Sequence, residues 1–383
     1  MTRELTFVAH GRLEWRDLPD PQLQAATDVL VRPFVAGRCD GDVLPLHHSV
    51  SRPMQAGVKL HLIDPVIADI TGHVPFRGPF GIGHECIAQV TAVGSEVNDL
   101  HVGDVVVVPW SVSCGDCREC RRGITAKCST TRALSPGKTL AAFGFGPSCG
   151  SWGGVVTDSL RVPYADRMLV RLPAGLDPLR VAAAADNLSD AWRSVAPQLV
   201  EIPDASVLVI GGGSRSIGLY AAGLAVALGA SKVDYIDDDF ERLAIAQALG
   251  ASAREVSRRR WTSVSTAVDA PYDVAVEASS TEQGLRDAVR ALGPGGVCTA
   301  TGYYVGTGTR LPVMDMYATS ATLQVGVSNV RPRLPELLDF VARTGFPAER
   351  VTSTLLPWEN APEGYDAHTT KLVLHREPID LTS

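Results

Sequence analysis

Residues 206–237 read SVLVIGGGSRSIGLYAAGLAVALGASKVDYID. A short apolar run stops at three consecutive glycines, a helix-compatible run ends in Gly229, and a second apolar run closes on Asp237. The order strand, turn, helix, strand is that of a βαβ unit, whose two strands lie parallel because the helix carries the chain back across the sheet. The same alternation continues through DFERLAIAQALGA, YDVAVEAS, GLRDAVRALGPGG and VCTATG and ends near LQVGV at 323–327. Residues 175–327 are therefore expected to form an α/β domain with a doubly wound parallel sheet.

The glycine cluster GGGSRSIG at 211–218 sits where such a sheet binds a dinucleotide, between a buried strand and a helix. Gly211 and Gly213 would let backbone amides approach a pyrophosphate at the helix N-terminus, with Gly218 in the place of the third glycine and Ile217 in the same loop. Asp237, about twenty positions beyond the last glycine, would take the adenosine ribose hydroxyls. Asp238 and Asp239 follow it and would repel an extra phosphate, which favours NAD over NADP.

The chain before this domain has a different texture. DVLVRPFVAG, HECIAQVTAVGSEV and GDVVVVPW alternate apolar and polar residues between Gly and Pro breaks, as antiparallel strands and turns do. Residues 1–174 are read as a mostly-β domain, rejoined by residues 328–383 through the amphipathic helix PRLPELLDFVARTG and the strand-like KLVLH. Two segments look long and irregular: 43–80, with His47, His48, His61 and His73, and the Gly-, Ser- and Pro-rich 129–150. The histidines of the first are read individually as solvated, and its place in the chain makes it a candidate determinant of specificity.

Composition limits the function. A chain of 383 residues exceeds what one core organises, so two domains are expected. The content of 45% hydrophobic and 20% charged residues is that of a globular protein. With 35 Lys and Arg against 42 Asp and Glu, the net charge of −7 offers no footprint for nucleic acid or an anionic membrane. No apolar stretch reaches membrane-span length and the N-terminus MTRELTFVAHGRLEW lacks signal-peptide features, so a cytoplasmic location is expected.

Eight cysteines in a reducing compartment point to metal or catalytic roles rather than disulfides. Four of them, Cys114, Cys117, Cys120 and Cys128, follow the spacing C-x2-C-x2-C-x7-C within a lobe of about residues 111–130. Close spacing converges four sulfurs on one ion at small loop-closure cost, and four thiolates leave no open position, the arrangement of a structural zinc. Arg118, Arg121, Arg122 and Lys127 would offset the charge. Buried free cysteines and an iron–sulfur cluster are the competing readings. A second cysteine, Cys39, and His84 lie in separate segments, and by themselves leave open whether they share a metal.

Taken in order, the motifs CDGD at 39–42, GHECIAQVTAVG at 83–94, GDVV at 103–106, the four-cysteine lobe, GGVVTDSLRVPYAD and VLVIGGG resemble the zinc-containing medium-chain alcohol dehydrogenase family over essentially the whole chain. VPYADRMLVRLP at 162–173 and Asp186 are most similar to the formaldehyde dehydrogenase-like branch. The resemblance implies a GroES-like catalytic domain plus a Rossmann domain. It also implies two zinc ions per chain, an NAD cofactor and a small-molecule substrate, in a dimer or tetramer.

By resemblance, Cys39, His84 and Asp186 hold a catalytic zinc with one open position, Glu85 lies beside the metal, and Asp42 accepts from the far nitrogen of His84. A helix-capping role is the alternative for Asp186. Lys371 matches a basic residue near the pyrophosphate, with a solvated surface lysine as the alternative, and Trp110 matches an aromatic pocket wall, with a core tryptophan as the alternative. The implied reaction is hydride transfer between NAD(H) and an alcohol, aldehyde or ketone. Where relatives carry a proton-relaying Ser or Thr, this chain has Gly41. Either Asp40, Glu85 or one of His47 and His48 handles the proton, or the substrate is not a simple alcohol, which leaves open a reductase of an enal, imine or similar group. A nucleotide-sensing or scaffold protein on the same fold is the reading from another class.

Overall fold

The computed structural model describes residues 1–132, 139–256, 268–269 and 271–380. The chain divides into two compact units, residues 1–186 with 329–344 and 352–383, and residues 187–328 with 345–351. The sequence placed the boundary at 174/175. The turns between carry Asp186 with the first unit, where the Trp110 amide donates to the Ala185 carbonyl at 3.1 Å. Residues 345–351 join the second unit, where Phe346 packs on Gly223.

The first unit is built on a seven-stranded sheet. Its path runs Thr354–Pro357, Leu372–His375, Val29–Gly37, Glu85–Val93, Val105–Val108 and Val170–Arg171, with Leu160–Val162 paired on Val29–Gly37. A smaller sheet orders Arg12–Leu18, Thr2–Ala9 and Phe80–Gly81. Valine-rich runs such as 105–108 favour the pleated conformation because β-branched side chains pack well on it. The core collects Leu5, Phe7, Val31, Val106, Phe143 and Trp358, all essentially buried, each contributing about 1.5–3 kcal/mol on burial.

Register fixes where the ends of these strands meet. Gly37 pairs with Glu85 and with Val373, so Cys39, His84 and Lys371, each one or two residues beyond a paired position, emerge at the same end of the sheet. Gly37 is required there: a Cβ on it would lie 2.2 Å from Glu85 Oε2.

Segment 43–80 is more ordered than the sequence led one to expect. It holds most of the helix Asp40–His47, then Ser51–Lys59 and Val66–Thr71. These helices are short, and internal Pro45 and weak periodicity hide the first of them from pattern reading. His48, His61 and His73 are exposed as expected, but His47 is not: its Nε2 lies 2.9 Å from the Asp366 carbonyl and its ring sits 4.4 Å from that of His368.

The second unit contains a six-stranded, all-parallel sheet in the order Ser252–Glu255, Lys232–Asp237, Ser206–Ile210, Tyr272–Glu277, Leu292–Ala300, Thr322–Val325. The order reverses at Ser206–Ile210, the first strand of the unit, as in a doubly wound fold. Helices Arg215–Ala227, Phe240–Ala248 and Glu282–Arg290 connect the strands. Among the described residues no helix is long and apolar enough to cross a membrane.

Candidate active site

One donor atom each from Cys39, His84 and Asp186 lie within 4.8 Å of one another. Cys39 comes from the end of Val29–Gly37, His84 from the start of Glu85–Val93, and Asp186 from the turn preceding Asn187–Glu201. His84 Nε2 lies 3.3 Å from Asp186 Oδ2 and its Nδ1 lies 3.1 Å from Asp42 Oδ1. The other Asp42 oxygen accepts the Cys39 amide at 3.2 Å, so one carboxylate steadies both neighbours.

The electrostatics of this cluster suit a dication. Burial pushes the Cys39 thiol up to about 12, and the Asp186 carboxylate pushes in the same direction. Burial alone would lower His84, but Asp42, with Asp186, holds its pKa well above the ordinary value. The thiol and the imidazole, crowded out of water, retain protons they would otherwise release, and a divalent ion would be satisfied by the same groups as thiolate, neutral imidazole and carboxylate. Three protein donors of S, N and O type are the ligand count of a catalytic zinc. Aromatic rings wall the site, with the Phe145 centroid 4.7 Å and the Trp110 centroid 6.5 Å from that of His84. Trp110 is buried and is both a core residue and a wall.

Glu85 and Lys371 differ from expectation. Lys371, read as a group near a pyrophosphate or as a surface lysine, is fully buried, ion-paired with Glu85 Oε2 and donating to the Arg38 carbonyl at 3.2 Å. Its register beside Gly37 turns the side chain into the unit, where Glu85 needs a counter-charge. Burial pushes the Glu85 carboxyl up and Lys371 opposes it. Glu85 thus stands next to His84 in sequence but is committed to a cation of its own.

The four lobe cysteines also present sulfurs within 4.8 Å of one another. The Cys114 amide points at Cys128 Sγ at 3.3 Å and the Cys117 amide at Cys114 Sγ at 3.3 Å. Amides aimed at sulfur stabilise thiolates, and hydrogen bonds including those from Ser129 outweigh burial to bring Cys117 down to about 6. The set fits a closed metal site and sits on short helical turns, Arg118–Arg121 and Thr125–Lys127.

In the second unit, Gly211 and Gly213 lie in the loop before Arg215–Ala227, but their amides are already used. Gly211 donates to the Ile236 carbonyl at 2.8 Å and Gly213 to that of Ser279 at 3.1 Å. The glycines are needed for tight packing: a Cβ on Gly211 would lie 2.3 Å from Asp237 Oδ2, and one on Gly213 2.8 Å from Ser280 Cβ. Ile217 is buried, and Gly218 packs under Ala278. Asp237 ends its strand as expected but is not open to a ribose. Its carboxylate accepts from Tyr235 at 2.7 Å, from Arg242 at 2.6 and 2.8 Å, and from the amides of Asp238 and Asp239. Burial would raise its pKa, but Arg242 holds it below the ordinary carboxylate range. Arg242 carried no motif signal; the only hint was its place one turn into the next helix, within reach of the strand end.

Known proteins resemble this chain in both units. The alcohol dehydrogenase GroES-like domain family matches residues 25–174 and the zinc-binding dehydrogenase family matches residues 216–343. The structure of alcohol dehydrogenase TADH from Thermus sp. ATN1 superimposes with a TM-score of 0.78 at 30% identity, covering 97% of this chain and 99% of that one. The chain belongs to the zinc-binding alcohol dehydrogenase family. It is accordingly a zinc-dependent oxidoreductase of the medium-chain dehydrogenase type, and zinc and a nicotinamide cofactor come with the family. A probable zinc-binding alcohol dehydrogenase of Mycobacterium tuberculosis is 28% identical over 364 residues, 95% of this chain and 84% of the relative. The glutathione-independent formaldehyde dehydrogenase of Pseudomonas aeruginosa is 28% identical over 266 residues, 67% of this chain and 59% of that protein.

Proposed function

We propose that this family member oxidises alcohols, or reduces the corresponding aldehydes or ketones, with NAD(H), using a zinc held by Cys39, His84 and Asp186, while a second zinc in the four-cysteine lobe is structural. The convergence of one S, one N and one O donor at the end of a single sheet carries the reading. When bound, the metal supplies Lewis-acid polarisation of the substrate oxygen and the nicotinamide supplies the two-electron partner.

The chain's own residues prepare that chemistry. Asp42 holds His84 with Nδ1 toward itself, which leaves Nε2 facing Cys39 and Asp186. Phe145 and Trp110 cover the imidazole and exclude water from it. Lys371 neutralises Glu85 and keeps that second carboxylate from adding its charge to the donor set. Gly41 offers no hydroxyl, so position 41 itself cannot relay the substrate proton. NAD rather than NADP is supported by three consecutive acids, of which Asp238 keeps its side chain 35% exposed.

The test is a substrate screen following NADH absorbance with zinc-loaded protein, repeated with NADPH. Turnover with NADH that is lost in Cys39→Ser supports the reading. Unchanged turnover in that variant, or turnover with NADPH alone, contradicts it.

A further inference from the structure

A cavity of about 290 Å³ lies in the first unit, lined among others by Thr71, His73, Phe76, Arg77, Phe80 and Phe145. Phe145 is the wall it shares with the metal centre, since the same ring lies 4.7 Å from that of His84. The rest of the lining comes mainly from the segment that separates Cys39 from His84. That segment is fastened in place: the Ser148 hydroxyl and the Cys149 thiol both donate to the Ile70 carbonyl, at 3.0 and 3.1 Å. Phe76 is buried with φ of 54°, a left-handed conformation that a bulky residue holds only when its surroundings over-determine it. The turn it sits in is closed by the Phe76 amide on Thr71 and the Arg77 amide on Val74, at 3.1 and 3.2 Å, and it presents Arg77 to the cavity.

The charge of the lining is one-sided. Among the described residues no carboxylate lines the cavity, although the chain carries a net charge of −7. Among the described residues the Arg77 guanidinium has no ion-pair or hydrogen-bond partner. Phe76, Phe80 and Phe145 supply apolar walls, and His73 adds a polar side chain to the lining. Aromatic walls with one planar, permanently charged fork match a ligand with an apolar body and a carboxylate end.

We propose that this cavity receives the far end of the substrate and that this end is a carboxylate, so that the substrate class is hydroxy acids or aldehyde acids with an apolar spacer between the two groups. The reacting end rests on the oxidoreductase reading given above; the cavity does not.

Two measurements separate them. The first compares kcat/KM for hydroxyhexanoate and hexanol, a pair of equal chain length, in the zinc-loaded protein and in Arg77→Gln and Arg77→Lys. The second measures hexanoate binding to the same three proteins by calorimetry, with no turnover involved. Loss of a charge-assisted hydrogen bond is expected to lower the acid-over-alcohol ratio roughly ten- to hundredfold in Arg77→Gln, through KM, with partial recovery in Arg77→Lys. Hexanoate affinity is expected to fall by a comparable factor. An unchanged ratio in Arg77→Gln, or hexanoate binding that is absent in the wild type or indifferent to Arg77, overturns the proposal. If neither alcohol is oxidised, the calorimetric result alone decides the fate of the cavity.

Discussion

Asp42 Oδ1 lies 3.1 Å from His84 Nδ1, and both side chains are buried. With Nδ1 toward Asp42, the ring turns Nε2 toward Asp186, and the same carboxylate holds the Cys39 amide. Asp42→Asn is expected to weaken zinc affinity at this centre by roughly ten- to hundredfold while leaving the circular dichroism spectrum unchanged. Competition with a chromophoric chelator measures it; an affinity equal to the wild type would show that the contact has no part in metal binding.

The buried pair Glu85–Lys371 invites a double-mutant cycle. Removing either partner leaves an uncompensated charge where both side chains have 0% exposure, so Glu85→Gln and Lys371→Met should each cost about 3–5 kcal/mol. The double variant should cost well under the sum. Denaturant midpoints read the outcome, and additive losses would mean that the two groups do not sense each other.

Asp237 makes a prediction about pH. Its folded pKa is depressed, so its contribution to stability is present above the unfolded value of about 3.9 and is lost as pH falls through the lower folded value. At neutral pH Asp237→Asn should destabilise the second unit by about 3 kcal/mol because Arg242 loses its charge partner. Below pH ~4 the gap between variant and wild type should narrow. A gap that widens on acidification would reverse the sign of the argument.

Cofactor preference separates from stability along the same strand end. With Asp237 committed to Arg242 and Tyr235, the exposed Asp238 is expected to carry the repulsion against a ribose phosphate. Asp238→Ser should raise NADPH affinity relative to NADH, read by cofactor fluorescence, without lowering the melting temperature. If only Asp237 substitutions shift the preference, the buried acid is the selector after all.

Much of this was legible in the sequence, for reasons that differ by residue. The four lobe cysteines could be read from spacing because their geometry is local. Cys39, His84 and Asp186 are far apart in the chain and could be read only through the ordered motifs around them, since their meeting depends on the Gly37–Glu85 register. Lys371 was misplaced because sequence position says nothing about which way a strand-end side chain turns. Asp237 was correctly placed at the strand end but assigned to a ligand, because its saturation by Arg242 depends on a helix that carries no motif. The helices in 43–80 are too short, and the first too interrupted by proline, for periodicity to reveal them.

The decisive quantity is zinc content per chain by elemental analysis, in the wild type and in the paired variant Cys39→Ser with Asp186→Asn. Two zinc ions in the wild type and one in the variant, with NADH-linked turnover lost and the melting temperature nearly kept, is the expected result. A variant that keeps both ions and its turnover, or a wild type that never binds more than one, would contradict a catalytic metal at Cys39, His84 and Asp186.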